Sequence, residues 1–462
     1  MTNAGSSYIL RATYGPARSD EVGQRIFVRG NSEEPPNYRS LRSKIFKRMI
    51  SMKKITIAAV IIVSLFGQLL AQYPDQFVDQ AREAIKNFNI SSADSAYKAA
   101  MAKAVDEDEH KEIHTEWQVL EKINVLLVDA RRSMDRAEYA ESLSKYSSAI
   151  AQMDASPHDI WGKVKGEAYY SMGMVNYRQD APIKAAEGFR NAMNYNVEET
   201  KYGKAVEMVR NKYYSEGHKY LKRKDYYSAK GQYEISVAVD PSFASGFYQL
   251  AYIAKRDGDL NLAENYYRDA VTSDPTHYKS WYGLGNLYSG IGDNKKAIES
   301  LKMSISINAS YEKAYYVLGK VYESQKNNSM AIQNLKKAIE VDKKYTKAYE
   351  LLGKIYVDQE KYQSTISLLK GLTGKPTSYA TYYRLAQAYN GTQNYSAALS
   401  AATKSLAKKK NWAPALIEKG DALKGLKRNK DAVIAWRIAA KDARWKTVAT
   451  YRIDELTKWD GK

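Results

Sequence analysis

The sequence predicts an all-α protein built as an α-solenoid, in which helix–turn–helix units stack and a single C-terminal capping helix closes the stack. One pattern of apolar and small residues recurs about every 34 residues along most of the 462-residue chain, and the chain contains only 10 prolines. A period of this length is typical of supersecondary units that bury their apolar faces against their neighbours. Few prolines leave long helices uninterrupted.

The unit over residues 278–304 shows the pattern. One face of its first helix consists of Trp281, Leu284, Gly285 and Tyr288. The glycines and the Asp-Asn pair within residues 289–294 then predict a turn. One face of the second helix consists of Ala297, Leu301 and Ser304. Both faces follow helical spacing, so the unit is predicted to be two amphipathic helices joined by a short turn.

The pattern returns in both directions along the chain. The large aromatic residue that opens the first helix recurs at Tyr213, Phe247, Trp281, Tyr315, Tyr349 and, after the loss of one residue, Tyr382. A small residue follows four positions later, at Gly217, Ala251, Gly285, Gly319, Gly353 and Ala386, and in the last unit Gly420 follows Leu416 at the same distance. We expect the two helices of each unit to cross there, because a larger side chain would overpack the crossing at a cost of about 1–3 kcal/mol.

These patterns divide the chain into segments. Residues 123–446 are predicted to hold about nine units, of which the first is weak, and about ten extra residues between positions 197 and 210 should lengthen a helix or add a turn. Residues 72–122 have a helical pattern that fits the repeat poorly, which predicts a helical N-terminal cap derived from a degenerate repeat. Residues 447–459 are predicted to form the capping helix, which covers the last apolar face.

The repeat pattern resembles that of the tetratricopeptide repeat family, and the resemblance covers roughly residues 123–446. Two units have Ala in place of Gly, and Thr365 stands where Ala is usual. The resemblance implies a right-handed superhelix whose concave face is lined by the first helix of each unit. It also implies that the protein binds other proteins.

A second aromatic series follows directly after the first one. We call it the tyrosine ladder, and its members are Tyr170, Tyr214, Tyr248, Tyr282, Tyr316 and Tyr383, with an interruption at Glu350. One residue along a helix is a turn of about 100°, so these rings cannot share the core stripe. By the resemblance, they face the concave groove.

Polar residues lie three positions before and four positions after the ladder on the same stripe. We call them the lysine row, which consists of Lys279, Asn286, Lys313, Lys320, Lys347 and Lys354. Tyrosines provide rigid contact area and a hydroxyl donor, and lysines attract anions, which together predict a groove for a peptide with acidic residues. Alternatively, the rings pack only against neighbouring helices and the lysines form a solvated face.

The N-terminal part contains a predicted export signal. Residues 55–70 are the only long apolar run, preceded by Lys53 and Lys54 and followed by Ala71. A positive segment, an apolar segment and a small residue at the cleavage site predict a signal peptide over residues 52–71. The run is shorter than the about 20 residues that a membrane-spanning helix needs.

Residues 1–51 are then expected to be disordered or not part of the native protein, with translation starting at Met52. The alternative is a cytoplasmic tail followed by an uncleaved signal anchor, a single N-terminal transmembrane helix. Both alternatives place residues 72–462 outside the cytoplasm, in the periplasm or associated with the cell envelope. Membrane contact is expected only through an uncleaved N-terminal segment.

Composition and motifs do not predict catalysis. The chain has no cysteine and a formal net charge of +19, and an exported basic protein is expected to meet acidic partners rather than nucleic acid. His110 and His114 lie four residues apart but lack the order of a zinc protease motif. The sequence shows neither a phosphate-binding glycine loop nor a nucleophile turn. We therefore predict that the protein is not an enzyme and has no cofactor and no metal site.

The sequence thus predicts a non-catalytic scaffold of the cell envelope that binds a protein or peptide segment, acidic in character, in the groove of the array. Two alternatives remain open. The tyrosine ladder could stack on the sugar rings of an envelope glycan or polysaccharide, or the protein could be a subunit of a secretion or assembly complex.

Overall fold

A computed structural model describes residues 74–372 and 378–459 of the chain, and every regular element within these ranges is a helix. The predicted upstream segment, residues 1–51, and the predicted signal peptide, residues 52–71, lie outside the described residues. Two units share the chain, residues 1–76 and 77–462. The first is described only at residues 74–76, and the helical residues from 77 onward belong to the second.

The array begins with α1 (Pro74–Lys86) and α2 (Ile90–Met101), after which the helices form sequential pairs. The first four pairs are α3 (Glu107–Asp135) with α4 (Tyr139–Asp154), α5 (Gly162–Arg178) with α6 (Pro182–Tyr195), α7 (Thr200–Lys222) with α8 (Tyr226–Val239), and α9 (Ala244–Asp257) with α10 (Leu260–Ser273). The next five are α11 (Tyr278–Ile291) with α12 (Asn294–Ile307), α13 (Glu312–Ser324) with α14 (Asn328–Val341), α15 (Thr346–Asp358) with α16 (Tyr362–Lys370), α17 (Tyr379–Gly391) with α18 (Tyr395–Lys408), and α19 (Ala413–Gly425) with α20 (Asn429–Ala439). Helix α21 (Ala443–Trp459) packs against α19 and α20.

This arrangement confirms the predicted fold class, an all-α solenoid with a closing helix. Helix α3 is 29 residues long and runs through position 122, where the sequence predicted the border between the cap and the array. Helix α7 has 23 residues and contains the extra residues after position 197. The closing helix begins at Ala443, four residues before the predicted start.

A shared turn joins many of the pairs. The second helices α8, α10, α12, α14 and α18 begin after an Asp or Asn whose side chain accepts a hydrogen bond from the backbone N–H three residues later, at Asp225, Asp259, Asp293, Asn327 and Asn394. Such caps satisfy one of the free N–H groups at a helix start. The residue before each cap has positive φ, which reverses the chain between the two helices.

The small residues allow the two helices of a pair to cross closely. A Cβ added to Gly285 would lie 2.5 Å from Cγ of Leu301, and one added to Gly420 would overlap the Trp436 ring. The core lies between the helices and between neighbouring pairs. In the middle of the array it includes the fully or almost fully buried Leu284, Leu301, Leu318, Leu335 and Leu352.

Candidate peptide-binding surface

The first helices of the pairs line up along one side of the array. Each of α9, α11, α13, α15 and α17 contacts the next first helix in addition to its own partner helix, and α19 contacts the closing helix α21. Residues on these helices that are turned away from the second helices therefore form one continuous surface, which we call the first-helix face. The tyrosine ladder and the lysine row lie on these helices and, for Tyr170 and Tyr214, on α5 and α7.

The ladder rings are not equally accessible. Tyr170, Tyr214, Tyr248, Tyr282 and Tyr316 are half-buried, whereas Tyr383 is buried with 8% of its surface exposed. Tyr170 packs against Phe189 and Tyr202, at ring-centroid distances of 5.4 and 5.5 Å. The middle of the array therefore offers the accessible part of the ladder, and Tyr383 belongs to the packed interior.

Each of the other five ladder rings packs against an aromatic residue 29 positions later in the chain. These ring pairs are Tyr214–Phe243, Tyr248–His277, Tyr282–Tyr311, Tyr316–Tyr345 and Tyr383–Trp412, with centroids 4.9–5.8 Å apart and ring planes at 68–88°. This edge-to-face arrangement is one that aromatic rings prefer. The later member of each pair is the N-cap residue of the next first helix, so the pairs join consecutive units.

Glu350 interrupts the ring pairs with a polar link. Its carboxylate accepts hydrogen bonds from the hydroxyls of Ser378 and Thr381, the latter at 2.9 Å. Ser378 is the N-cap of α17, the position that an aromatic residue occupies in the pairs. The run of adjacent ring pairs therefore extends from Tyr214 to Tyr345 and stops there.

The tyrosine hydroxyls in this run are free of hydrogen bonds to the part of the chain that the structure describes. Those of Tyr248, Tyr282, Tyr316, Tyr311 and Tyr345 make no hydrogen bond to another residue of the described ranges. Burial raises the pKa of Tyr248 to about 12 and raises the pKa values of Tyr282 and Tyr316. These phenols stay neutral at physiological pH and keep a proton to donate.

Four members of the lysine row have no carboxylate partner among the described residues. Lys279, Lys313, Lys320 and Lys347 are exposed and form no ion pair within residues 74–372 and 378–459. The ammonium groups of Lys279 and Lys313 lie 5.9 and 5.8 Å from the ring centroids of Tyr278 and Tyr311. Positive charge thus accompanies the ring pairs along the middle of the first-helix face.

The other two members of the row differ. Lys354 forms ion pairs with Glu323 and Asp358, so its charge is compensated. Asn286 is half-buried. Lys255, which the sequence analysis did not single out, adds a half-buried lysine seven positions after Tyr248. Burial lowers the pKa of Lys255, and the charge of Lys320 lowers it further.

At the C-terminal end of the face, polar groups pair with one another. Asn390 donates to the carboxylate of Glu418 at 2.9 Å, and Arg452 of the closing helix holds Asp421 through two contacts of 2.6 and 2.8 Å. Burial raises the pKa of Glu418 to about 7. Trp436 donates to Asp421 at 3.2 Å, which connects this cluster to the core.

The described residues contain no other arrangement that indicates chemistry. No group of three or more His, Asp or Glu side chains within residues 74–372 and 378–459 could hold a metal ion. The rings of His110 and His114 stack at 6.1 Å, and His114 also contacts Trp117. No helix in the described part of the chain combines the length and apolar character needed to cross a membrane.

Comparisons with known proteins identify the repeats. A model of the tetratricopeptide repeat matches residues 244–277 and 312–345, and a second model with the same description matches residues 266–299. None of the curated proteins matches the sequence.

Several solved structures are similar to parts of the chain. A tetratricopeptide repeat protein from Parabacteroides merdae is 17% identical, with a TM-score of 0.39, and the match covers 54% of this chain and 98% of that one. The pilF protein of Pseudomonas aeruginosa is 16% identical with a TM-score of 0.42, covering 46% and 96% of the two chains. YrrB, described as having an unusual peptide-binding site, is 17% identical with a TM-score of 0.27, covering 44% and 95%. Identities and TM-scores this low transfer no site or ligand to this chain.

Proposed function

Because the chain belongs to the tetratricopeptide repeat proteins, which act as protein-interaction scaffolds, we propose that it binds a peptide segment of a partner protein along the middle of its first-helix face. The observation that carries the proposal is the set of half-buried ring-pair tyrosines, Tyr248, Tyr282, Tyr311, Tyr316 and Tyr345, whose hydroxyls have no partner among the described residues. The rings are half-buried, but the hydroxyl oxygens are not among the fully buried side-chain atoms, so they remain open to a ligand. A surface that holds several such donors in fixed positions is prepared for a ligand that supplies acceptors.

The charge pattern supports an acidic ligand. Lys279, Lys313, Lys320 and Lys347 flank the rings without carboxylate partners in the described residues. Unpaired surface charges of one sign accelerate the approach of an oppositely charged partner and align it. A peptide with acidic side chains would therefore be drawn to this face and would place its backbone over the rings.

The ring geometry favours a peptide over a glycan. Stacking on a sugar requires a flat ring face that is open to the ligand, whereas each edge-to-face pair covers one ring face with the edge of the other ring. Neutral sugars would also leave the lysine row without a role. We therefore favour a peptide ligand and treat the glycan as the outcome that competes with it.

We further propose that the protein acts outside the cytoplasm, in the cell envelope. The support is the predicted signal peptide over residues 52–71, which precedes the described array. N-terminal sequencing of the protein isolated from its cells tests this proposal. A chain that starts at Gln72 is expected, and a chain that retains residues 55–70 would instead identify an anchored form.

Binding is tested with two triple variants against the native partner, identified by cross-linking in intact cells and mass spectrometry. Tyr248→Phe, Tyr282→Phe and Tyr316→Phe keep the rings and remove the hydroxyls, and the corresponding Ala triple removes both. Loss of three neutral hydrogen bonds, each worth about 0.5–1.5 kcal/mol, should weaken capture by the Phe triple at least about tenfold. The Ala triple should abolish capture.

Controls separate binding from folding. Tyr227 is 91% exposed on the second helix α8, so Tyr227→Phe and Tyr227→Ala should leave capture unchanged. Circular dichroism should show that the Phe triple remains helical. Full capture by both folded triples would contradict the proposal, and capture that resists protease treatment of the bait would identify a glycan instead.

A further inference from the structure

The distance between consecutive ring pairs can be compared with the repeat length of each regular peptide conformation. The first helices α9, α11, α13 and α15 contact one another in sequence, and helices in contact lie about 8–10 Å apart. Each ring pair joins one first helix to the N-cap of the next. A polyproline II helix rises about 3.1 Å per residue and turns once every three residues, so it advances about 9.3 Å per turn. A ligand in this conformation presents the same side to every ring pair.

Other conformations do not keep this register. Three residues of a β-strand cover about 10 Å, which is close to the distance between neighbouring helices. Side chains of a strand alternate between two sides, however, so residues three positions apart point in opposite directions. If one of them faced a ring pair, the next would point away from the following ring pair. An α-helix repeats its face after seven residues, which takes about 10.5 Å, and its carbonyls are already bonded within the helix. Neither a β-strand nor an α-helix therefore matches the distance between ring pairs and also offers free carbonyls to the tyrosine hydroxyls.

We propose that the ligand of this face is a proline-rich polyproline II segment with an acidic residue at every third position. This inference rests on the proposed function, because it specifies the ligand of the same surface. The carbonyls of a polyproline II helix have no internal hydrogen bonds and accept from the hydroxyls of Tyr248, Tyr282, Tyr316, Tyr311 and Tyr345. Grooves lined by aromatic side chains recognise such segments because the conformation is already ordered before binding.

The interruption at Glu350 fixes the length of the segment. Four adjacent ring pairs extend from Tyr214–Phe243 to Tyr316–Tyr345, and the polar link between Glu350 and Ser378 follows. One turn of three residues for each pair gives about 12 residues. Lys279, Lys313, Lys320 and Lys347 lie beside the last pairs, so the acidic residues between the prolines have partners there.

The test uses four fluorescently labelled 12-residue peptides and the folded, full-length protein in anisotropy titrations. The candidate ligand is (Pro-Pro-Glu)4. The flexible control (Ser-Gly-Glu)4 and the proline-free control (Ala-Ala-Glu)4, whose alanines favour helix over polyproline II, have the same charge, and (Pro-Pro-Lys)4 reverses it. We expect (Pro-Pro-Glu)4 to bind at least about tenfold more tightly than (Ser-Gly-Glu)4, because a preformed conformation loses less entropy on binding. The reversed peptide should not bind.

The triple variant Tyr248→Phe, Tyr282→Phe and Tyr316→Phe should weaken binding of (Pro-Pro-Glu)4 at least about tenfold, while Tyr227→Phe should leave it unchanged. Equal binding of (Ser-Gly-Glu)4 or (Ala-Ala-Glu)4, with loss in the Phe triple, would overturn the polyproline II inference and leave the proposed peptide surface intact. Equal binding of all acidic peptides to the wild type and the Phe triple would overturn both. Binding of (Pro-Pro-Glu)4 only when the hydroxyls are present supports both.

Discussion

The middle of the array and its C-terminal end use the same stripe of the first helices in opposite ways. In the middle, the ring-pair hydroxyls of Tyr248, Tyr282, Tyr311, Tyr316 and Tyr345 have no partner in the described residues. The four exposed members of the lysine row beside them form no ion pair there. At the C-terminal end, Tyr383 is buried, and Arg452 pairs with Asp421. The same position of the repeat therefore faces outward in the middle of the array and is packed at Tyr383 near its C-terminal end.

The difference shows how an array can separate binding from closure. A solenoid needs a terminal element that covers its last apolar face. Here α21 does so, and Arg452 uses the polar stripe of α19 to hold it in place. The middle has neighbours on both sides, so its stripe is not needed for closure and remains available for a ligand.

The largest expected effect separates the two regions by stability. Trp436 is fully buried at the C-terminal end, so Trp436→Ala should lower the free energy of unfolding of this end by about 3–5 kcal/mol. In a solenoid this loss should stay near the substitution. Hydrogen exchange should show faster exchange in α19–α21, whereas α9–α13 should keep the wild-type rate.

The matched control for this substitution is Ile434→Ala on α20, where the side chain is 55% exposed. It should change stability by no more than about 0.5 kcal/mol, as surface substitutions usually do. Equal acceleration of exchange in all helices of the Trp436→Ala protein would show that the array unfolds as one unit, and the separation of the two regions would be wrong.

The second prediction uses pH. Burial raises the pKa of Glu418 from an ordinary value of 4.5 to about 7, so the folded protein holds a proton that the unfolded chain releases. The protonated carboxyl group therefore contributes fully to stability below about pH 4.5. As the pH rises to about 7, this contribution is lost and the free energy of unfolding falls by about 3 kcal/mol. The groups that face Glu418 are Asn390, Gln387, Tyr383, Asp421 and Arg452.

Urea unfolding between pH 4.5 and 8 measures this dependence. Glu418→Gln should remove it and should be more stable than the wild type at pH 8. The control is Glu299→Gln, a substitution of an exposed residue on α12, which should retain the wild-type pH profile. A Glu418→Gln protein with the same profile as the wild type would show that another group is responsible.

The third prediction concerns the crossing of helices in the middle of the array. A Cβ at Gly285 would meet Leu301, so Gly285→Ala should destabilise the protein by about 1–3 kcal/mol. Gly290 lies on the same helix with nothing within 4 Å of an added Cβ, so Gly290→Ala should stabilise it by up to about 1 kcal/mol. Thermal unfolding of the two variants should give shifts of opposite sign, and shifts of the same sign would contradict the close crossing.

The sequence was sufficient to predict the repeats because their core positions are set by helical periodicity. Each crossing depends on residues such as Gly285 and Leu301, which lie within one unit and recur in the next. The predicted border at residue 122 differs from the structure because residues 72–122 lack the period. The long helix α3 follows from a continuous helical pattern that crosses this position.

The ring pairs were missed for a physical reason. Phe243, His277, Tyr311 and Tyr345 recur every 34 residues, but their types differ, and N-cap positions are normally searched for Ser, Thr, Asp or Asn. Their contact with the ladder also depends on the angle between consecutive units, which periodicity does not determine. The same applies to Tyr383, since only the packing of Trp412 shows that the ring is buried.

The smallest expected effect on stability tests whether the charge on the middle of the face serves a ligand. Lys279→Gln, Lys313→Gln and Lys347→Gln together should change the free energy of unfolding by no more than about 0.5 kcal/mol, because these side chains are exposed and unpaired in the described residues. Stopped-flow association with (Pro-Pro-Glu)4 at low salt should nevertheless slow clearly, since nearby charges steer an acidic ligand.

The control for this triple changes the net charge equally on the second helices, with the exposed residues Lys295→Gln, Lys302→Gln and Lys336→Gln. It should slow association much less, because charges separated by more than a Debye length of about 10 Å at 0.1 M salt are screened. The difference between the two triples should disappear in about 1 M salt, where the Debye length falls to about 3 Å. Equal slowing by both triples at low salt would mean that net charge alone attracts the peptide, and the distinction between the lysines beside the ring pairs and those elsewhere would be lost.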